Sequence, residues 1–360
     1  MAHRSGLYEL HRSLGATFHE ERGWELPGRY QDPIQEHRAV RESVGLLDLS
    51  FRTVYRVTGT ERTRFLNGML TNDINKLEEG QGCYACLLTP QGKILADLEV
   101  YALRDYHLME LDCRWKEQAM DYFNKYIIAD DVAFDELADS VLLALQGPEA
   151  TTTLQRLLPG ADLPRGKHGC VEVMFNDQPY RVIQSSLTGE EGYKLVIPTE
   201  RAADVWRVLQ EAGATPVGMA ALNSLRLEAG IPWFGIDFDE ENFPQEAGIE
   251  DSGVSFTKGC YIGQEFVIRI AHRGQVNRRT SGLTMQGESI PRPGDRILRE
   301  NKEVGRITSA AFSPIFGSVI GLGMLRRESQ EPGTVVQIES NGEPVPAEVT
   351  TLPFYRRATG

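Results

Sequence analysis

The chain has 360 residues, 41% hydrophobic and 25% charged, with a formal net charge of −13. That length exceeds what one hydrophobic core normally fills, so two or three domains are expected. The negative balance argues against a general polyanion binder, and no apolar run is long enough to span a bilayer.

The first thirty residues carry Glu9, Glu20 and Glu21 among polar neighbours, unlike a signal peptide, so a cytoplasmic protein with no membrane partner is expected. An α+β unit is expected from about residue 52 to 140. Thr53–Val57 alternates like a strand, and Thr58-Gly59-Thr60-Glu61 fits a capping box opening a helix through Leu70. Strands follow at 84–88 and 94–101, joined by the turn Thr89-Pro90-Gln91-Gly92. Asp112 caps the next helix, which carries Ala119, Tyr122, Phe123, Tyr126 and Ile127 on one face. Cys83 and Cys86 form a C-x-x-C pair, but within an apolar strand the two thiols point to opposite faces. No second pair follows at zinc-site spacing, and five cysteines argue against a disulfide framework. No metal site is expected.

A second unit begins with the strand 141–145 and turns through Gly147-Pro148 into a helix. A hairpin over 181–197 turns at 188–192. Thr199 caps a helix with Ala202, Val205, Leu209 and Ala212 inward, and Gly213 stops it; Pro216 opens the next helix, which ends before Pro232. From Thr280 onward short strands alternate with Gly and Pro turns such as Pro291–Gly294 and Asn341-Gly342, the texture of a small β-barrel or jelly roll.

Charge and chemistry concentrate around one octapeptide, Lys258-Gly259-Cys260-Tyr261-Ile262-Gly263-Gln264-Glu265. Its two glycines signal a tight bend or a close approach. Lys258 beside Cys260 favours the thiolate, although a cysteine is also a common small hydrophobe. Residues 228–257 hold many acids and no Lys or Arg, whereas Lys258, Arg269, Arg273, Arg278 and Arg279 follow as a basic strip. That strip fits a folate polyglutamate tail, a short RNA segment, or a solvated face balancing the acidic loop.

The octapeptide, with Val267–Gly274 and Asn277-Arg278-Arg279 after it, resembles the signature of the YgfZ family of folate-binding proteins, relatives of the glycine cleavage T-protein (aminomethyltransferase). Further ordered segments resemble T-protein: Gly23–Pro27, Val44–Ser50, Leu145–Pro148, Thr188–Tyr193, Ser224–Gly230, Pro346–Val349 and Leu352–Tyr355. The resemblance implies an α+β, three-domain T-protein-like ring around a central folate channel. Its parts are two interleaved α+β domains, at 1–51 with 141–234 and 52–140 with 235–279, and a C-terminal β-barrel at 280–360.

Four residues stand out against that background. Arg226 falls on the apolar arc of its helix with Met219 and Leu222. An arginine there calls for a structural carboxylate or a ligand, and in the similar T-protein segment the arginine contacts folate. Glu190 is a turn acid whose T-protein counterpart pairs with the pterin, whose adjacent N–H and NH₂ donors suit one carboxylate. Asp97 shares a strand face with Glu99. The corresponding T-protein segment carries two successive acids, one of which assists folate's attack on the aminomethyl carbon, and here the first is Ala96. Cys260 matches a functional YgfZ-type cysteine, with iron or cluster contact, thiol exchange and covalent capture of a one-carbon unit as its open tasks.

The resemblance thus implies a tetrahydrofolate-binding protein supporting iron–sulfur cluster assembly or repair, with iron–sulfur enzymes as clients. The alternatives are a folate-dependent aminomethyltransferase or demethylase, in which Asp97 is catalytic, and a non-enzymatic adaptor for tRNA or a client protein.

Overall fold

A computed structural model describes residues 2–21, 23–340 and 342–357; Asn341 and the side chain of Arg273 lie outside the described residues. A six-stranded sheet runs in the order Cys170–Phe175, Gln178–Gln184, Gly192–Pro198, Ser140–Gln146, Gly45–Asp48 and Thr215–Pro216. Its central strand alternates with period two. Leu143 and Leu145 face the helices Ala150–Leu157 and Thr199–Glu211, while Leu142 and Ala144 face the helix Met219–Glu228. Both sides are buried, which is why this strand reads as one continuous apolar run.

The second sheet has five strands in the order Gly82–Leu88, Ile94–Ala102, His107–Asp112, Arg52–Thr58 and Ala133–Glu136. Ala96, Leu98 and Val100, with Met109 and Leu111 on the next strand, pack under the helices Arg62–Met69 and Lys116–Tyr126. The residues between them are Asp97, Glu99, Glu110 and Asp112, and strict alternation sends all four carboxylates to the opposite face. Glu99 stands directly across from Glu110 in the antiparallel register. This acidic face meets the six-stranded sheet, whose Lys194 reaches across to Glu99 and Glu110.

Six strands, the first Arg278–Met285 and the last Glu343–Thr350, form a closed barrel filled by Leu283, Ile297, Ile307, Val319, Leu325 and Ile338, among others. The barrel rests on the helix Met219–Glu228, where Leu227 meets Ile320 and Leu322. The fold is thus the expected α+β arrangement with a C-terminal barrel. No helix among the described residues is long and apolar enough to cross a membrane.

Two local expectations change. The helix expected from residue 58 begins at Arg62, because Thr60 donates to Asp131 (2.7 Å) and Glu61 accepts from the Asp131 amide (2.9 Å) rather than closing a capping box. Pro216 lies in a short parallel strand beside Leu46, so the following helix starts three residues later at Met219.

Candidate functional site

The facing sides of the two sheets enclose a cavity of about 340 Å³. Leu49, Phe51, Leu187, Leu222, Ile231 and Trp233 supply apolar wall, and Asp97, Glu99, Arg52, Lys194, His168 and Ser185 supply polar wall. A concave site with an apolar lining and a few convergent charges is the usual form of a small-molecule pocket.

The charges are tightly organised. Lys194, buried, donates to Glu99 Oε1 and to both carboxylate oxygens of Glu110, each at 2.9 Å. Arg52 donates to Glu110 from the neighbouring strand, and Tyr101 donates its hydroxyl to Glu99. His168 Nδ1 stands 3.4 Å from Glu99 Oε2. Asp97 has a different environment, in which the Tyr84 hydroxyl donates to its Oδ2 at 3.0 Å.

These surroundings drive two carboxyls of one strand face apart. Desolvation raises the Asp97 pKa; Arg52 and Tyr84 oppose that rise only in part, and Asp112 and Glu99 add to it. Desolvation also opposes ionisation of Glu99, but the charge of Lys194, then His168 and Arg52, outweighs it and holds Glu99 well below the usual carboxylate range. A proton-prone acid two residues from a fixed anion is the pattern of a site that handles protons.

The side chains singled out in the sequence divide. Asp97 lines the cavity, while Ala96 points to the opposite face and is buried in the core, so an acid at 96 would sit among apolar side chains. Glu190 is not part of the cavity lining. Arg41 donates to its Oε1 at 2.9 Å and Arg357 to its Oε2 at 2.5 Å, tying the 185–191 loop to the helix Pro33–Glu42 and to the C-terminal segment. Glu190 thus belongs to an internal ion cluster that also includes Glu228 and His37.

Arg226 also stands behind the cavity rather than in its lining. Its guanidinium donates to Asp237 (2.5 Å), Ser309 (2.6 Å) and Asn223 (3.0 Å). It lies 4.9 Å from the ring centroid of Trp233, which does line the cavity. The structural carboxylate is thus Asp237, and the arginine braces the wall.

The octapeptide has a largely architectural account. Lys258 turns inward and donates to the carbonyls of Asn67, Leu70 and Asn72 at 2.6–2.8 Å, satisfying the C-terminal end of the helix Arg62–Met69. It is therefore committed to carbonyls rather than free to activate a thiol. Gly263 adopts a positive φ of 82°, and a Cβ there would lie 2.5 Å from the Thr89 carbonyl oxygen. Cys260 is exposed and is not among the residues lining the cavity. Three arginines of the basic strip have acidic partners: Arg269 pairs with Glu265, Arg278 with Glu246 and Arg279 with Glu250.

Sequence reasoning passed over Lys194, Glu110, Arg52, His168 and Trp233. Lys194 had a visible signal, as a lone cation in the otherwise apolar strand Tyr193–Ile197. A lysine on a two-sided buried strand requires buried anions.

Comparison with known proteins agrees across the chain. Residues 7–257 match the GCVT N-terminal domain, and residues 278–356 match the glycine cleavage T-protein C-terminal barrel domain. The aminomethyltransferase of Rubrobacter xylanophilus is 35% identical, covering 98% of this chain and 94% of that protein. That of Thermosynechococcus vestitus is 33% identical, covering 98% and 96%. The crystal structure of the glycine cleavage system aminomethyltransferase T from Bartonella henselae superposes with a TM-score of 0.92 at 28% identity, covering 99% of this chain and 98% of that one. With both domains matched, and with similarity running from end to end, the chain belongs to the glycine cleavage T-protein family.

Proposed function

We propose that this protein is a tetrahydrofolate-dependent aminomethyltransferase whose reaction takes place in the cavity between the two sheets. The observation that carries the proposal is the split pair Asp97 and Glu99 on one strand face, opposite an aromatic wall. The lining fits a pterin. Phe51 and Trp233 offer flat apolar surface, Glu99 is a fixed acceptor for ring N–H donors, and Ser185 adds a small polar group. Tetrahydrofolate, when bound, supplies the nitrogen that takes up the one-carbon unit.

The chain's own residues have separable tasks. Asp97, held toward its protonated form, gives or takes a proton at its carboxyl as the amine leaves and the nucleophile loses its proton. Lys194 keeps Glu99 ionised, and Lys194 and Arg52 fix the direction of Glu110, so the cavity presents preset polar groups and needs no reorganisation during the reaction. Leu49, Leu187, Leu222 and Ile231 exclude water, which strengthens those charges. Arg226 positions Trp233, and Glu190 fixes the loop that carries Ser185 and Leu187. Cys260 has no step in this scheme.

The relatives named above are aminomethyltransferases, and that reading accounts for the cavity. A YgfZ-type role in iron–sulfur assembly rests on the octapeptide, where Lys258 and Gly263 already serve packing and carbonyl satisfaction. An adaptor role for tRNA or a client protein rests on the basic strip, in which Arg269, Arg278 and Arg279 are already paired with acids.

The test is turnover. With an aminomethylated carrier protein and tetrahydrofolate, the wild type should form methylenetetrahydrofolate and ammonia. Asp97→Asn should lose about 10²- to 10⁴-fold of that rate while remaining folded. No product from the wild type in a sensitive assay would remove the proposal.

A further inference from the structure

We infer that His168 is the second proton-transfer group of the cavity, working alongside Asp97 and exchanging its proton with solvent. The inference rests on the aminomethyltransferase reading above and deepens it at the same site.

The need for a second group follows from atom balance. The transferred carbon begins bound to the amine nitrogen and to an atom of the carrier, and ends bound to two nitrogens of tetrahydrofolate. Both of its original bonds and two folate N–H bonds break, and two C–N bonds form. The amine and the carrier atom each take up one proton, and nothing is oxidised or reduced. Two protons therefore move, at two different leaving atoms, and one carboxyl carries only one of them at a time. The other titratable groups of the interior wall are already taken. Arg52 and Lys194 are committed to buried carboxylates, and Glu99 is held ionised. Tyr84 serves Asp97, and Asp112 pairs with Arg114.

His168 is uncommitted by comparison. It lines the cavity, and its Nδ1 lies 3.4 Å from Glu99 Oε2, past the usual hydrogen-bond length, with no hydrogen-bond partner. Imidazole is the side chain best suited to give and take a proton near neutral pH. Its side chain is 15% exposed, so it joins a largely apolar interior to solvent. The charged groups around it are Glu99 from the strand Ile94–Ala102, Lys194 and Arg52 acting on that carboxylate, and Lys167 beside it on its own loop. Tyr101 donates its hydroxyl to the same carboxylate. Asp97 and Glu99 are one same-face step apart, about 7 Å along the strand, so Asp97 and the imidazole facing Glu99 suit two separate leaving atoms. The backbone holds the ring there at a cost. His168 has φ +62°, a left-handed conformation that a residue with a side chain keeps only where its surroundings impose it. Its amide donates to the Gln184 carbonyl at 3.1 Å. Its carbonyl presses so close to Gly82 that a Cβ there would lie 2.9 Å away. Strain of this kind, kept at the wall of a ligand cavity, is typical of a residue with a task in the reaction.

The experiment compares the wild-type full chain with His168→Asn, which tolerates a left-handed backbone, and His168→Gly, which adopts one freely and leaves a hole the size of the ring. Calorimetric titration of tetrahydrofolate should place both variants within about three-fold of wild-type affinity, since binding needs no proton transfer. Turnover with an aminomethylated carrier protein should fall about 10²-fold in both, and one limb of the wild-type pH–rate profile should be missing. Added imidazole should raise the His168→Gly rate by about ten-fold or more. Variants that turn over within about three-fold of wild type would overturn the inference and leave Asp97 and the folate site intact. A rate loss that imidazole does not relieve, with the shape of the pH–rate profile unchanged, would also overturn it, because that marks a structural role. Failure of wild type to bind tetrahydrofolate or to turn over would overturn the aminomethyltransferase reading and this inference with it.

Discussion

Replacing Lys194 by Met removes one of two cations from a buried cluster and leaves its two carboxylates in place. In the native protein Lys194 contacts Glu99 and both oxygens of Glu110 at 2.9 Å, and Arg52 serves Glu110 from the side. After the change Arg52 faces two anions, and one of them is left buried without a full partner. Breaking a buried pair in this way costs about 3–5 kcal/mol, and Met fills most of the lost volume, so a cavity adds little. Urea unfolding followed by tryptophan fluorescence reads the loss, since Trp233 lines the same cavity. Adding Glu99→Gln removes the charge that Lys194 alone of the two cations contacts, and should recover at least half of the loss. A Lys194→Met protein within about 1 kcal/mol of wild type would refute the assignment of a desolvated, mutually dependent cluster. So would a double variant no more stable than the single one.

Three further outcomes follow from the same structure. Arg226→Met strands Asp237 and unties the barrel strand carrying Ser309, and should cost about 3–5 kcal/mol in chemical denaturation. Gly263→Ala forces a Cβ against the Thr89 carbonyl at a positive φ and should lower stability by more than about 1 kcal/mol, with melting temperature as the readout. Glu99, whose pKa is depressed in the folded protein, contributes stability that is complete above its unfolded pKa of about 4.3 and is lost as pH falls through the lower folded value. Asp97 acts with the opposite sign, because its raised pKa imposes a penalty at neutral pH that is relieved on acidification. Glu99→Gln should therefore flatten the acid limb of the stability–pH curve, and Asp97→Asn should not.

Much of this architecture could be read in advance because it depends on local periodicity. The alternation Ala96-Asp97-Leu98-Glu99 fixes which side chains meet the core, and with it the acidic face of the cavity. The barrel was legible from turn residues at regular spacing. The partners of Glu190 and Arg226 were not, since they lie far along the chain. Arg41 is 149 residues before Glu190 and Arg357 is 167 after it, while Ser309 is 83 residues beyond Arg226. An isolated charged residue on an apolar stripe announces that a partner exists, but not whether that partner is a ligand or another side chain. The same limit applies to Arg278 and Arg279, whose partners Glu246 and Glu250 lie about thirty residues earlier until folding brings them together. The octapeptide drew attention to Cys260, whereas its structural content lies in Lys258 and Gly263.

The measurement that bears most directly on the account is calorimetric titration of tetrahydrofolate into wild type, Trp233→Leu and Glu190→Gln proteins. The account predicts at least about ten-fold weaker binding to Trp233→Leu, the scale of one lost ring-stacking contact. It predicts a much smaller change for Glu190→Gln, whose carboxylate serves Arg41 and Arg357. The reverse order, with Glu190→Gln losing the ligand and Trp233→Leu keeping it, would place the pterin elsewhere and contradict the assignment.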